Sequence, residues 1–274
     1  MSMSNLTAIA WGVMVAVYLL RAFLAFAIGG ETFWKEFFRG ETGVLDRGEA
    51  ILWLPVIALS VLAFARRYRR EGLSLGTLWH LGMALVCTVL LGEEISWGQH
   101  VFGFASSERM MHINAQAESN FHNLNLSVIL GIPLDSPLYP VLSNFNHILN
   151  PAYYLFTCIL FIAIPIAKSR LGWRNLSWVP TPGDRVALFL AANVLAYLFV
   201  DKLLFDVGEV FEVALTSTFL LAVVDTYQQE KRADVASGRR ARFVSATAPV
   251  RRERMQAFGP AQSPTSHLRT TKKD

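Results

Sequence analysis

The chain of 274 residues is 53% hydrophobic and only 17% charged, whereas a soluble domain of this size carries about a quarter charged residues. Its apolar residues come in long blocks and its mean hydropathy is +0.36, which excludes an ordinary soluble domain and makes lipid the solvent. The net charge of +4 sits in short connections and in the tail, without interleaved aromatics, so it speaks for membrane topology and against a nucleic-acid partner.

Crossing a hydrocarbon core takes about 20 apolar residues, and six segments of the chain are long enough. The expected fold class is therefore all-α: a polytopic transmembrane bundle of six spanning helices with an added extracytoplasmic helical or re-entrant segment. The first span covers residues 6–28. It lacks a positively charged leader and is interrupted by Arg21, so it reads as a retained helix although Ala25-Phe26-Ala27 resembles a cleavage site. The second covers residues 50–65, extendable back to Leu45, with a kink expected at Pro55. The third covers residues 75–96, and an outer polar segment, residues 98–140, follows it. Within that segment the apolar stretch 124–134 is too short to span and reads as re-entrant or interfacial. The fourth span, residues 141–167, is expected to bend near Asn150-Pro151; the fifth is 186–205 and the sixth 210–227. The spanning domain is thus residues 1–227. Residues 228–274, with Arg239-Arg240, Arg251-Arg252 and Lys272-Lys273, read as a basic, disordered cytoplasmic tail. Cys87 and Cys158 lie inside apolar blocks and read as small core residues.

Lys and Arg set the orientation. Arg66, Arg67, Arg69 and Arg70 follow the second span, Lys168, Arg170, Arg174 and Arg185 follow the fourth, and the basic tail follows the sixth. The alternate connections have no positive excess: residues 31–49 hold five acids against three bases, and Asp201, Lys202, Asp206 and Glu209 surround the last turn. Every basic connection falls on one side, which puts both termini in the cytoplasm of a cell whose plasma (inner) membrane holds the protein.

The unusual polar residues then gather at the extracytoplasmic end. Glu93 and Glu94 directly follow an apolar run, and a charge at a helix centre costs about 2.5–3.5 kcal/mol. On a continuing helix Glu93, Ser96, Trp97 and His100 share a face. Asn114, Glu118 and His122 are four residues apart, so a helix would align an amide, a carboxylate and an imidazole, the set a divalent metal or an acid–base pair requires. Asn144, Asn146 and His147 open the fourth span. Glu209 and Glu212 open the sixth, with Thr216 one turn further in. Helix-dipole stabilisation accounts for Glu209 and less well for Glu212. His80 and Asn193 lie deeper and read as packing residues that hydrogen-bond between helices.

Gly92-Glu93-Glu94-Ile95-Ser96-Trp97-Gly98-Gln99, followed by Asn114-x-Gln116-x-Glu118-x-Asn120-x-His122-Asn123, resembles the signature of a group of uncharacterised bacterial multi-pass membrane proteins. The acidic start of the last helix, Glu209 to Glu212, fits the same group. In that group a basic residue stands where this chain has His100, and Gly where it has Ala117. The resemblance brings no known activity.

The expected function is that of a metal-dependent membrane hydrolase or transferase acting on a lipid or lipid-linked substrate at the extracytoplasmic face. Glu94, Glu118, His122 and Glu212 are the catalytic candidates. The same four, with His147, are the candidate ligands of a divalent metal ion, which would lower the pKa of bound water or polarise a substrate oxygen. Trp97, Gln99, Asn114 and Asn123 are the candidate substrate-binding residues, and membrane lipid is the expected partner. The alternatives are a non-catalytic scaffold or subunit locked together by its polar cluster, and an ion-coupled transporter. The transporter is disfavoured because no repeat is visible and the polar residues avoid the midplane.

Overall fold

The computed structural model describes residues 2–38, 43–176, 178–204 and 207–247. Every named element among them is helical, as expected of a chain that must satisfy its backbone hydrogen bonds internally in lipid. Six long helices carry the architecture: α1 (Met3–Phe26), α2 (Val44–Glu71), α3 (Leu75–Glu94), α4 (Asn146–Ser169), α5 (Asp184–Leu204) and α6 (Gly208–Thr247). All but α5 are long and apolar enough to cross a membrane. The protein is a helical membrane protein. Helix α5 lies where the fifth span is expected and is 21 residues long, but it is not one of those five.

The chain divides into a unit Met1–Asp234 and a unit Val235–Asp274, the second helical as far as it is described. Within the first, α6 is the central helix: 61% of its apolar stretch is buried, against 17–39% for the other four candidate spans. Phe219 of α6 sits among Trp53 of α2 and Tyr153 and Phe161 of α4, at ring distances of 4.9–6.3 Å. Phe211 stacks on Tyr197 of α5 at 4.5 Å, and Trp11 of α1 meets Phe189 of α5 edge-on at 5.3 Å. The outward surfaces of α1 to α5 stay apolar and exposed, with Leu19, Phe23, Ile51, Leu155 and Phe199 all more than half accessible, which is where lipid tails belong.

Several boundaries differ from expectation. Helix α2 begins at Val44, six residues before its apolar run, so Glu49 lies inside the helix and not in a loop. Helix α3 stops at Glu94, because Ser96, Trp97 and Gly98 all take positive φ (45°, 53° and 90°) and reverse the chain. Residues 141–145 stay outside α4; a single turn, Tyr139–Leu142, precedes it. Helix α4 runs through Pro151 and loosens instead into a π-helical stretch, Ile159–Ala163, next to Pro165, where the proline ring removes an N–H from the ladder. Helix α6 does not end at Tyr227 but continues to Thr247, held first by ion pairs of Glu230 and Asp234 with arginines of α2. Asp206, the tail from residue 248 and the side chain of His100 lie outside the described residues.

Candidate functional site

The outer polar segment is a string of single turns and short helices: Gln99–Phe102, Glu108–Ile113, Leu126–Ile129 and Tyr139–Leu142. Residues 114–125 are not helical, which corrects the alignment expected for Asn114, Glu118 and His122. They form a loop closed by an antiparallel bridge between Asn114 and Leu124, with Ala115 N donating to Asn123 O and Asn125 N to Ile113 O, both at 2.7 Å. The physical reason is local competition for the backbone. The Asn114 side-chain oxygen accepts from the N–H groups of Gln116 (2.9 Å) and Glu118 (3.2 Å), and its amide donates to the Asn120 carbonyl at 2.9 Å. Ala117 takes φ 59°, a left-handed turn no helix can contain.

The two motifs are built into each other. Ser96 Oγ donates to Glu118 Oε2 at 2.5 Å, and Asn120 Nδ2 donates to the same oxygen and to Ser96 Oγ. Ser96, Glu118 and Asn120 are 1–4% exposed. Gln99 Oε1 accepts from Ser119 N at 2.8 Å and Ser106 Oγ at 2.9 Å, and Asn123 Nδ2 donates to Gln116 Oε1. Glu118, Gln99, Asn114 and Asn123 therefore serve the loop from within, and none of the four lines the cavity described below.

Glu93 joins this loop to α3. One of its oxygens accepts from the backbone N–H of Phe121 (2.7 Å) and of His122 (3.0 Å) and lies 3.2 Å from His122 Nδ1. The other accepts from Trp97 Nε1 at 2.6 Å. His122 Nε2 faces Asn123 Nδ2 at 3.0 Å. An amide donor at Nε2 and a carboxylate at Nδ1 fit a neutral imidazole with its proton on Nδ1. Trp97 can fold back on α3 because residue 92 is glycine: a Cβ there would lie 2.9–3.1 Å from the indole.

Behind this rim lies a cavity of about 460 Å³ between α2, α3, α4 and α6. Its polar wall comes from one end of four helices: Glu49 near the start of α2, Glu94 at the end of α3, Asn146, Asn150 and Tyr153 early in α4, and Glu212 early in α6. Glu93 and His122 close the rim with Phe121. Glu49 accepts from Thr216 Oγ1 at 2.6 Å, and Glu212 accepts from Tyr154 OH at 3.0 Å and Asn150 Nδ2 at 3.3 Å. Glu49, Glu94 and Glu212 lie within mutual electrostatic reach, and Asp46 and Glu209 add to the field on Glu94. Among the described residues that line the cavity there is no Lys or Arg. The Asn146 side-chain oxygen is buried without a hydrogen bond, and the Tyr153 hydroxyl faces Thr216 without one of normal geometry. Native interiors rarely leave such groups unsatisfied unless a ligand, water or ion completes them.

The structure thus brings Glu94, His122 and Glu212 together and leaves Glu118 and His147 elsewhere. His147 is exposed, its Nδ1 3.2 Å from the Pro140 carbonyl. Among the described residues no three His, Cys, Asp or Glu side chains group as a metal cage. Trp97 stands beside the rim, 45% exposed and edge-on to Phe121 at 6.4 Å. Glu49, Asn150, Tyr153 and Tyr154 were not among the expected site residues. For the α4 residues a signal existed: Asn146, Asn150 and Tyr153 or Tyr154 recur at helical spacing on one face. No family model, curated protein or solved structure matches this chain.

Proposed function

We propose that this protein is a membrane-embedded hydrolase or transferase for a lipid or lipid-linked substrate, with Glu94 and Glu212 at its chemical centre and Glu49 completing the acidic wall. The observation that carries this reading is the convergence of Glu49, Glu94 and Glu212, from α2, α3 and α6, on the polar end of one cavity whose other walls, Trp53, Val86, Val89, Leu90, Leu149 and Phe156, are apolar. Carboxylates taken out of water demand a compensating charge, either a cation or a shared proton, and either one supplies chemistry. A shared proton makes an acid–base pair. A divalent ion polarises a phosphoryl or carbonyl oxygen. With no three-membered cage present among the described residues, such an ion would rest on two carboxylates and complete its shell with Asn150 and water, as suits Mg²⁺. The Glu93–His122 pair at the rim is the second proton carrier.

The substrate enters sideways. Val86, Val89 and Phe156 line the cavity and are 41–49% exposed on the apolar surface of the bundle. The Lys and Arg distribution supports an extracytoplasmic cavity in the plasma membrane. A scaffold role accounts for Glu93 and Glu118, which hold the loop, but gives no reason to keep Glu49, Glu94 and Glu212 together in an apolar setting.

The test is metal analysis and lipid turnover with the purified full-length chain in vesicles of total bacterial lipid plus Mg²⁺. Conversion of one lipid class, tracked by mass spectrometry, is expected for the wild type and for His147→Ala. It is expected to be lost in Glu94→Gln and Glu212→Gln. Turnover unaffected by both Gln variants, or none in the wild type, overturns the reading.

A further inference from the structure

A second pocket, of about 290 Å³, lies further along α3 and α4. Leu75, Leu78, Trp79, Gly82 and Met83 form one wall and Leu160 the other, with Trp178 across the floor. Trp79 and Trp178 meet edge-on there, ring centres 6.0 Å apart. Among the described residues, no acid, base or amide lines it. Val86 and Phe156 line both this pocket and the carboxylate cavity, so the two are sections of one groove, and both residues are more than 40% exposed. The groove follows α3 from Glu94 to Trp79, a rise of about 22 Å at 1.5 Å per residue. With Glu94 taken as the outer boundary of a hydrocarbon core of about 30 Å, that length exceeds half of the core and would pass the midplane.

We propose that this groove seats the alkyl chain of the substrate, and that the substrate is a long single-chain amphiphile with its polar head among Glu49, Glu94 and Glu212. The inference rests on the proposed function for the head and on the shared walls for the chain. A chain confined to one leaflet, as in an ordinary two-tailed lipid, ends near the midplane and leaves the Trp79–Trp178 floor empty. A single long chain fills the groove to its floor and packs against its apolar walls along the whole length. Gly82 sets the width of the lower section: an added Cβ there meets nothing within 4 Å, so a larger side chain enters the groove and not a neighbouring helix.

Neutral probes separate chain from head. Octanol and hexadecanol carrying a terminal diazirine are photolysed with the full-length protein in phosphatidylcholine vesicles, and labelled residues are mapped by mass spectrometry. Hexadecanol is expected to label Trp79, Met83 or Trp178, with at least tenfold less label when unlabelled hexadecanol competes. Octanol is expected to label only the upper section around Val89, Leu90 and Phe121. Gly82→Leu is expected to cut the hexadecanol label at the floor at least tenfold while leaving the octanol label. Leu78→Trp serves the same purpose if Gly82→Leu does not fold. Floor labelling that is not competed, or that is equal for both chain lengths, or that persists in the blocked variant, overturns the groove. Competed floor labelling in a wild-type protein that shows no turnover supports the groove and sinks the function. Turnover without competed floor labelling sinks the groove alone.

Discussion

The two ends of the bundle handle buried charge in opposite ways. At the end where α2 finishes, Arg66, Arg67 and Arg70 meet acids from α6: Arg70 lies 2.5 Å from Glu230 and 3.1 Å from Asp234, Arg67 3.2 Å from Glu230, and Arg66 3.2 Å from Asp234. Glu71 joins from α2 itself, and His80 Nε2 of α3 stands 3.5 Å from Glu230. At the other end Glu49, Glu94 and Glu212 share a cavity that no described Lys or Arg lines. Acids matched by arginine forks hold helices together. Acids gathered with like charges around an open volume work against the fold and are retained for what they bind or transfer.

The comparison breaks if both ends respond alike to loss of an acid. Glu230→Ala is expected to have the largest effect, since it leaves Arg67 and Arg70, 18–20% exposed, and a buried His80 without their shared acceptor. Breaking a buried pair from one side costs about 3 kcal/mol, read as a lower unfolding temperature in detergent. Lipid turnover by the surviving folded fraction is expected to persist. Gly92→Ala comes next. Its Cβ would press on the indole at 2.9 Å, and moving Trp97 costs about 2 kcal/mol of packing together with the hydrogen bond to Glu93. Thermal unfolding and the Trp97 emission maximum both report it. The third change has the opposite sign. Glu94→Gln replaces one of the crowded ionisable acids of the cavity by a neutral amide and is expected to raise stability by about 1 kcal/mol while abolishing turnover. A destabilised Glu94→Gln would make this end structural too, and the contrast would vanish.

How much of this was legible in the sequence follows from what each signal depends on. Five of the six expected spans were readable because apolar length alone decides them. Glu94 and Glu212 were readable because a carboxylate beside an apolar run is conspicuous. Glu49 was hidden: its helix starts in polar sequence at Val44, so it counted as one of several loop acids. The Glu118–His122 spacing misled because four-residue spacing means one face only on a helix, and Asn114 diverts that backbone into a loop. That loop nonetheless delivers His122 to the cavity rim, through the grip of Glu93 on its backbone.

The smallest prediction tests how that loop is held. Ala117 takes φ 59°, a conformation that costs an L-residue about 1–2 kcal/mol and costs glycine little. Glycine gives back part of that gain through the greater freedom of its unfolded chain. Ala117→Gly is therefore expected to stabilise the protein by about 0.5 kcal/mol, with turnover unchanged because residue 117 does not line the cavity. The matched variant Ala117→Val should lose stability, since a β-branched residue resists positive φ most strongly. Paired unfolding curves measure the difference between the two. If Val is tolerated as well as Gly, the left-handed turn is not what shapes the loop, and the placement of His122 must come from Glu93 alone.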